Sequence, residues 1–406
     1  MRRREFLKAT LAAGVGMAVS AGPWFLKYGL GQAPIKYGVL IPLTGGLAEL
    51  AADQKVATEM AIEEINAKGG MMGRKIELIM RDTEFNAAVT TRKAIELLEK
   101  DKIDFMTGAC SGFEEMALND VAKKRNILYF TLPQYMLEFK QDFFKYSFGL
   151  NVTPFQSSAA GAKWAALNVP GAKWHMLADN YSWPKMFVPA IEHWAKVRGK
   201  NFTGITWAPF PTTDYSTFIP QVRAQKPDVL FCVTWGSGQI SLIKQLQEFG
   251  LAKEMKVLFM VSEVPWAVAA GTGSFEGMYA GMPWYWKLED KYPAAKEFNK
   301  KFFAKSNRMP AGYAQPAYET PHLLASVVNE VKSLQAEKIA KALEGRKFKY
   351  LKSEAYIRPC DHVTIQEFYF MKGKAKGEMT NNWDFFTMVE SVSGEDILLS
   401  CKEKGL

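Results

Sequence analysis

Apolar and polar residues along the chain occur in blocks that are typical of a strand, a helix and a second strand. Tyr37–Ile41 is a short apolar run that stops at Pro42. Residues 47–67 carry apolar side chains at helical three- and four-residue spacing and end at a pair of glycines. A second apolar run covers Ile76–Met80. We therefore predict a right-handed βαβ unit, with the turn after its first strand at the carboxyl edge of a parallel sheet.

The same pattern continues in two consecutive series of strands and helices. The chain is predicted to cross from the first series to the second near residues 148–155, to return to the first from Gly281 onward, and to return to the second with a strand over Val363–Met371. Two such series favour an α/β fold with two doubly wound parallel-sheet lobes joined by a hinge. The other predicted strands are Phe105–Gly108, Ile127–Thr131, Lys173–Ala178, Phe202–Ala208, Val229–Val233 and Val257–Val261.

This order of elements predicts the domain boundaries. We expect residues 34–152 and 284–350 to form lobe one, and residues 153–283 and 351–385 to form lobe two. Residues 386–406 are predicted to be a C-terminal tail.

The N-terminal segment differs from the rest in charge and composition. The first 33 residues contain five basic residues and one acid, so the net charge of +9 falls to +5 without them. The alanine- and glycine-rich run over residues 9–21 is too short to be a stable membrane span. We predict that residues 1–33 are an export signal, with a retained anchor as the alternative.

The remaining composition excludes several classes of protein. Hydrophobic residues make up 48% and aromatic residues 13% of the chain, which is ample for packed cores. No long basic run follows the N-terminal segment, so nucleic-acid binding has little support. Four cysteines and four histidines are scattered without metal-ligand spacing, and neither a metal site nor a cofactor is predicted. Cys360 and Cys401 either form a disulfide or remain two free thiols.

Motifs of common enzymes are missing from the sequence. It contains no Gly-x-Ser-x-Gly nucleophile elbow, no phosphate-binding Gly-x-x-x-x-Gly-Lys loop and no His-Glu-x-x-His metal motif. The glycines after the first strand also lack the spacing of a dinucleotide site. These absences favour a binding protein over an enzyme.

Candidate binding residues follow the predicted strands. Ser111 precedes a helix, where it suits either a ligand carboxylate or an ordinary N-cap. Glu263 follows a buried-looking strand, where it either holds an ammonium group or is a solvated loop acid. Aromatic and amide side chains at other strand ends suit a small organic ligand. They are Gln134, Tyr135, Trp183 and Trp235.

Several short motifs resemble the leucine/isoleucine/valine-binding protein family, the periplasmic solute receptors of ABC transporters. They include residues 42–45 (Pro-Leu-Thr-Gly), 65–70 (Ile-Asn-Ala-Lys-Gly-Gly) and 73–75 (Gly-Arg-Lys). The resemblance covers roughly residues 35–375 and implies the type I periplasmic binding protein fold. Residues 3–8, Arg-Arg-Glu-Phe-Leu-Lys, look like a twin-arginine signal, which implies a periplasmic protein exported after folding.

The resemblance also implies roles for the candidate residues. Ser111, Gln134 and Tyr135 would bind the ligand carboxylate in the first lobe. Trp183 and Trp235 would cover the ligand from the second lobe, and Glu263 would bind its amino group. The family's small residues after strand four are replaced here by bulkier ones at residues 131–136. An aromatic acid or an amide is therefore as credible a ligand as a branched-chain amino acid.

These observations predict an exported, monomeric substrate-binding protein that delivers a small amino acid-like or carboxylate ligand to a membrane ABC permease. It would need no cofactor and bind no nucleic acid. One alternative is a sensory ligand-binding protein that serves a membrane receptor. Another is an exported amidase-like hydrolase that uses Glu263 as its base.

Overall fold

The structure is a computed structural model that describes residues 33–406, with the exception of the Asp396 side chain. The predicted export signal, residues 1–33, lies outside the described residues apart from Ala33. Among the described residues, no helix combines the length and apolar character needed to cross a bilayer.

The first part of the chain alternates strands and helices, as predicted, up to residue 131, and a further strand, Ser147–Gly149, follows without an intervening helix. A π-helical turn, Leu97–Asp101, extends the second helix. The elements are β1 Ile35–Ile41, α1 Ala48–Ala67, β2 Ile76–Asp82, α2 Ala87–Glu96, β3 Phe105–Gly108, α3 Gly112–Arg125, β4 Tyr129–Thr131 and β5 Ser147–Gly149.

The second part repeats the alternation. Its elements are α4 Pro154–Asn168, β6 Lys173–Asp179, α5 Ser182–Lys185, α6 Val188–Val197, β7 Asn201–Ala208, α7 Ile219–Gln225, β8 Val229–Val233, α8 Gly236–Glu248, α9 Leu251–Glu254, β9 Lys256–Phe259, α10 Val264–Ala270 and β10 Tyr279–Met282. The C-terminal part contains α11 Pro293–Ser306, α12 Ala314–Val331, α13 Ala336–Leu343, β11 Lys347–Phe348, β12 Ala355–Ile357, β13 Thr364–Ile365, β14 Phe368–Gly373 and β15 Phe386–Val392.

Two large sheets organise these elements, as the predicted α/β fold requires. The first sheet has the strand order β2-β1-β3-β4-β5 and is parallel throughout. The second has the order β15-β14-β10-β9-β8-β6-β7, in which β14 and β15 are antiparallel to their neighbours. Strand order reverses beside β1 in one sheet and beside β6 in the other, and open α/β sheets bind ligands at such points.

The C-terminal helices return to the first sheet. Helix α12 packs against α1, where the Thr58 hydroxyl donates to the Ala317 carbonyl at 3.4 Å. The N–H of Met72 donates to Asn329 Oδ1 at 2.6 Å. These contacts join residues that are more than 250 positions apart in sequence, at α1 and at the turn before β2.

Two details of the C-terminal part correct the prediction. The predicted strand Val363–Met371 is divided, because β13 pairs with β12 in a small antiparallel sheet while β14 joins the second large sheet. The predicted tail is wrong over Phe386–Val392, since these residues form β15 and pair with β14. Only the two ends of β15 are buried, so this edge strand lacks the apolar alternation that sequence patterns detect.

The last residues are fixed to the body of the protein. Cys360 and Cys401 are joined by a disulfide. Beside it, the fully buried Lys404 ammonium contacts the Glu138 carboxylate and lies 2.6 Å from Asp361 Oδ2. Asp361 also accepts a hydrogen bond from Arg358 Nε at 3.0 Å. The C-terminus therefore closes over buried carboxylates that come from distant parts of the chain.

Candidate functional site

A cavity of about 540 Å³, counting the part that is open to solvent, lies between the strand ends of the two large sheets. Its walls are loops and helix starts that follow β2, β3, β4, β6, β7 and β8, together with the residue before α12. The lining residues are Phe85, Cys110, Ser111, Gly112, Phe113, Pro133, Gln134, Met136, Tyr181, Ser182, Trp183, Phe210, Trp235 and Tyr313. The cavity thus lies where the parallel-sheet topology predicts a ligand site.

Seven of the fourteen residues that line the cavity are aromatic. The rings of Trp183 and Trp235 meet edge to face with centroids 5.2 Å apart. Trp235 also lies 6.0 Å from the ring of Tyr313. Across the cavity, Phe85 and Phe113 pack edge to face at 4.9 Å. No acidic or basic side chain of the described residues lines this cavity, so its chemistry is apolar with uncharged hydrogen-bonding groups.

Ser111 lines the cavity, but its hydroxyl already has a partner inside the protein. It donates to Glu114 Oε2 at 2.7 Å, and the Cys110 N–H donates to the same oxygen at 3.3 Å. The other oxygen, Oε1, accepts from the Thr83 hydroxyl. Burial raises the pKa of Glu114 above its ordinary value. The start of α3, predicted to attract a ligand carboxylate, is thus in contact with the chain's own acid.

Gln134 and Trp183 line the cavity and bond to each other. The Trp183 indole N–H donates to Gln134 Oε1 at 2.9 Å. The Gln134 amide N–H donates in turn to the Ser157 hydroxyl at 2.9 Å. Because Gln134 follows the first sheet and Trp183 follows the second, this buried chain of bonds joins the two halves of the molecule beside the cavity.

Tyr135 is the first correction to the predicted site. Its side chain is fully buried beside Gly149, and its hydroxyl donates to the Ser147 carbonyl at 3.5 Å. Gln134 and Met136 line the cavity, so the intervening Tyr135 points to the opposite side of this extended segment and packs in the core.

Glu263 is the second correction, because it does not line the cavity. Its carboxyl is buried behind the wall and accepts the Gly312 N–H at 2.6 Å. Only glycine allows this approach, since a Cβ on Gly312 would lie 2.5 Å from Glu263 Oε1. That oxygen has no hydrogen-bond partner within residues 33–406. Burial raises the pKa of Glu263 to about 8; the Gly312 N–H opposes this rise and the charge of Asp53 adds to it.

Several lining residues were not predicted from the sequence. Tyr181 directly follows a predicted strand, so the same rule that selected Trp183 also points to it. Tyr313 precedes a helix that packs on α1, and no local pattern places it at the strand ends. Only the packing of distant segments brings Tyr313 opposite Tyr181.

Comparisons with known proteins agree with this architecture. Residues 34–378 match the family model described as "Periplasmic binding protein". The Leu/Ile/Val-binding protein homolog 8 of Brucella suis biovar 1 (strain 1330) is 23% identical over 350 residues, which cover 82% of this chain and 85% of that protein. Homolog 7 of Brucella abortus (strain 2308) is 24% identical over 326 residues, covering 77% and 81%.

Solved structures of low sequence identity share the fold. An amino acid ABC transporter substrate-binding protein from Pseudomonas fluorescens Pf-5 has a TM-score of 0.85 at 20% identity, covering 93% of this chain and 99% of its own. A solute-binding protein of an ABC transporter from Rhodopseudomonas palustris BisB5, solved with 3,4-dihydroxy benzoic acid, has a TM-score of 0.78 at 19% identity, covering 89% and 98%.

The family consists of substrate-binding proteins rather than enzymes, which removes the amidase-like alternative. Its members bind small molecules, work with ABC transporter permeases and are periplasmic. The family match extends over most of the described chain, and the two parallel-sheet halves with a cavity between them are the fold it requires. The chain belongs to the periplasmic binding protein family.

Proposed function

We propose that this protein captures a small aromatic carboxylate in the cavity and delivers it to a membrane ABC permease for import. The observation that carries the proposal is the composition of the cavity wall: aromatic rings from both halves, with only uncharged polar groups among them. The flat ring of an aromatic ligand stacks favourably on aromatic side chains that line a cavity in this way. The hydroxyls of Tyr181, Ser182 and Tyr313 offer hydrogen atoms, which suits a ligand whose polar end accepts hydrogen bonds.

A free amino acid fits this wall less well. Its ammonium group needs a carboxylate or several acceptors within hydrogen-bonding distance. Glu263 stands behind the wall, where burial raises its pKa to about 8, while Glu114 is occupied by three donors of the protein. An aromatic acid has no ammonium group and therefore does not need such a partner.

The known relatives support both ligand classes. Two proteins of similar fold from Rhodopseudomonas palustris were solved with 3,4-dihydroxy benzoic acid and with benzoate. Another, from Streptococcus pneumoniae, was solved with isoleucine. A branched-chain amino acid is therefore the second candidate ligand, and the wall of the cavity favours the aromatic acid.

Closure of the two halves would couple capture to delivery. The Trp183–Gln134 and Glu263–Gly312 hydrogen bonds both join groups of the two halves, so they form only when the halves meet. A ligand that contacts both walls binds this closed form more tightly and raises its population. The closed form would then present the surface that the permease recognises.

The proposal also covers the export route and the oligomeric state of the protein. We propose export by the twin-arginine route, on the basis of residues 3–8, and a monomer in solution. A sensory protein would use the same cleft. Genes for a permease and an ATPase beside the coding gene would favour transport, whereas a neighbouring receptor gene would favour sensing.

Calorimetric titration of the native protein tests the ligand class. The panel is benzoate, 4-hydroxybenzoate, 3,4-dihydroxybenzoate, benzamide, phenylalanine and leucine. We expect at least one benzoate to bind more tightly than either amino acid, because the wall offers rings and donors but no carboxylate for an ammonium. Tighter binding of leucine or phenylalanine would contradict the proposal, as would failure of every benzoate to bind.

Removing an aromatic wall residue should weaken that binding. Trp235→Leu is expected to reduce affinity for the tightest benzoate roughly 10- to 100-fold, the loss typical of a buried aromatic contact. Trp207→Leu is the matched control, since Trp207 lies on β7 away from the cavity and should leave affinity unchanged. Equal affinity in native protein and Trp235→Leu would remove Trp235 from the site.

A further inference from the structure

Two tyrosine hydroxyls from opposite halves face the same cavity without a partner. Tyr181 follows β6 of the second sheet, and Tyr313 precedes α12, which packs on the first half. Both line the cavity. Among residues 33–406, neither hydroxyl has a hydrogen-bond partner. Tyr313 as a whole is only 4% exposed, but its hydroxyl is not among the fully buried atoms without a partner, so the hydroxyl opens to the cavity. An acceptor that reaches either hydroxyl gains a hydrogen bond without breaking one within the described residues.

The rings that carry these hydroxyls are held in place. Tyr181 stacks on Phe210 with ring centroids 4.2 Å apart and an angle of 29° between the planes. Tyr313 packs beside Trp235 at 6.0 Å. Because each ring is held in place, the position of its hydroxyl oxygen is fixed. Little conformational entropy is therefore lost when the hydroxyl binds an acceptor.

Both hydroxyls remain proton donors at physiological pH. Burial, with smaller contributions from neighbouring acids, raises the pKa of Tyr181 and Tyr313 well above the ordinary value for tyrosine. The neighbouring groups that contribute most are Asp179 for Tyr181, and Cys110 and then Glu263 for Tyr313. Tyr181 is itself one of the groups that raise the pKa of Tyr313.

We propose that the hydroxyls of Tyr181 and Tyr313, one from each half of the protein, together donate hydrogen bonds to the carboxylate or carboxamide oxygens of an aromatic ligand. The inference rests on the proposed function and adds to it the groups that recognise the ligand's polar end. The aromatic wall takes the ring, and the two hydroxyls take the acceptor oxygens. Because one donor comes from each half, the ligand itself completes a bridge across the closed cleft.

The test uses the full-length mature protein and single hydroxyl deletions. Tyr181→Phe and Tyr313→Phe are titrated with whichever panel compound, benzoates or benzamide, binds the native protein most tightly. Each is expected to lose affinity roughly 10- to 100-fold for a carboxylate, as hydrogen bonds to charged groups do, and less for benzamide. Tyr356→Phe, on β12 and outside the cavity, is the matched control and should bind like the native protein.

Ligand-free stability separates recognition from a structural role. Since neither hydroxyl has a partner, both Tyr→Phe variants should unfold at the native temperature or slightly above it in the absence of ligand. Lower ligand-free stability would mean that the hydroxyls support the fold, and would overturn the proposal. Unchanged affinity in either variant would overturn the paired role while leaving the aromatic-acid function intact. If the native protein binds none of the benzoates or benzamide, the proposed function fails first, and this inference fails with it.

Discussion

Lys404→Ala is expected to lower the free energy of unfolding by about 3–5 kcal/mol, the range for breaking a buried ion pair from one side. The Lys404 ammonium is fully buried and contacts the carboxylates of Glu138 and Asp361, which are buried as well. Without the cation, two acids would face each other away from water. Urea denaturation at pH 7 under non-reducing conditions, with the Cys360–Cys401 disulfide intact, measures the loss.

The effect should be specific to this lysine. Lys402→Ala removes an exposed lysine two positions earlier and should change stability by less than about 0.5 kcal/mol. Adding Glu138→Gln to Lys404→Ala should restore part of the loss, because one of the unpaired carboxylates becomes neutral while Arg358 still pairs with Asp361. Equal stability of the Lys404→Ala and Lys402→Ala variants would show that the C-terminus does not close over Glu138.

The ligand-free protein is expected to be more stable near pH 5 than at pH 8.5. Burial raises the pKa of Glu115 and of Glu263 to about 8, and that of Asp53 and of Asp179 to about 6. Each folded carboxyl holds its proton to a higher pH than the unfolded chain does. The stability that these four carboxyls contribute is therefore fully present below their unfolded-state pKa and is lost as the pH rises through their folded-state pKa.

The size of this effect follows from the largest shifts. For Glu115 and Glu263 the loss between pH 5 and 8.5 is on the order of 3 kcal/mol each. Denaturant midpoints over this range measure it. Glu115→Gln combined with Glu263→Gln should flatten the decline above pH 6.5, because the glutamine side chains do not titrate. A stability maximum at pH 8 or above, or the same slope in the double variant, would contradict the expectation.

Other carboxyls set the acid limit of the stable range. Hydrogen bonds from Lys374, Thr380 and Lys287 lower the pKa of Asp384 to about 2 despite opposing desolvation. Contacts with Arg358 and Lys404 lower the pKa of Asp361 as well. Stability from these two groups is present above their unfolded-state pKa and disappears as the pH falls through their lowered values. The profile should therefore decline again below about pH 4.

Individual strands show which elements the local sequence pattern can predict and which it misses. Val229–Val233 is an apolar run of five residues before Trp235, and β8 has the predicted limits. The strands β5 and β10 have three and four residues and were missed, because so short a run carries little periodicity. Their place in the sheets is set by neighbouring strands, β4 for β5 and β9 with β14 for β10.

For the candidate site too, the local sequence pattern identifies some of the residues that line the cavity and not others. Ser111, Gln134, Trp183 and Trp235 line the cavity because they follow strands whose order and direction the sequence pattern indicates. Tyr135 and Glu263 follow predicted strands too, yet one packs in the core and the other is buried behind Gly312. Position after a strand brings a residue to the edge of the sheet, but the direction of its side chain depends on the segments packed around it.

By itself, the sequence determined the two series of parallel strands, the family resemblance and the edge of the sheets where a ligand site belongs, since periodicity, turns and short motifs act over neighbouring residues. Only the tertiary structure decided that Tyr313 faces Tyr181, that Glu263 stands behind the wall and that Lys404 is buried between Glu138 and Asp361. Those arrangements join segments far apart in the chain, and their energies come from burial and from charges that meet only when the chain is folded.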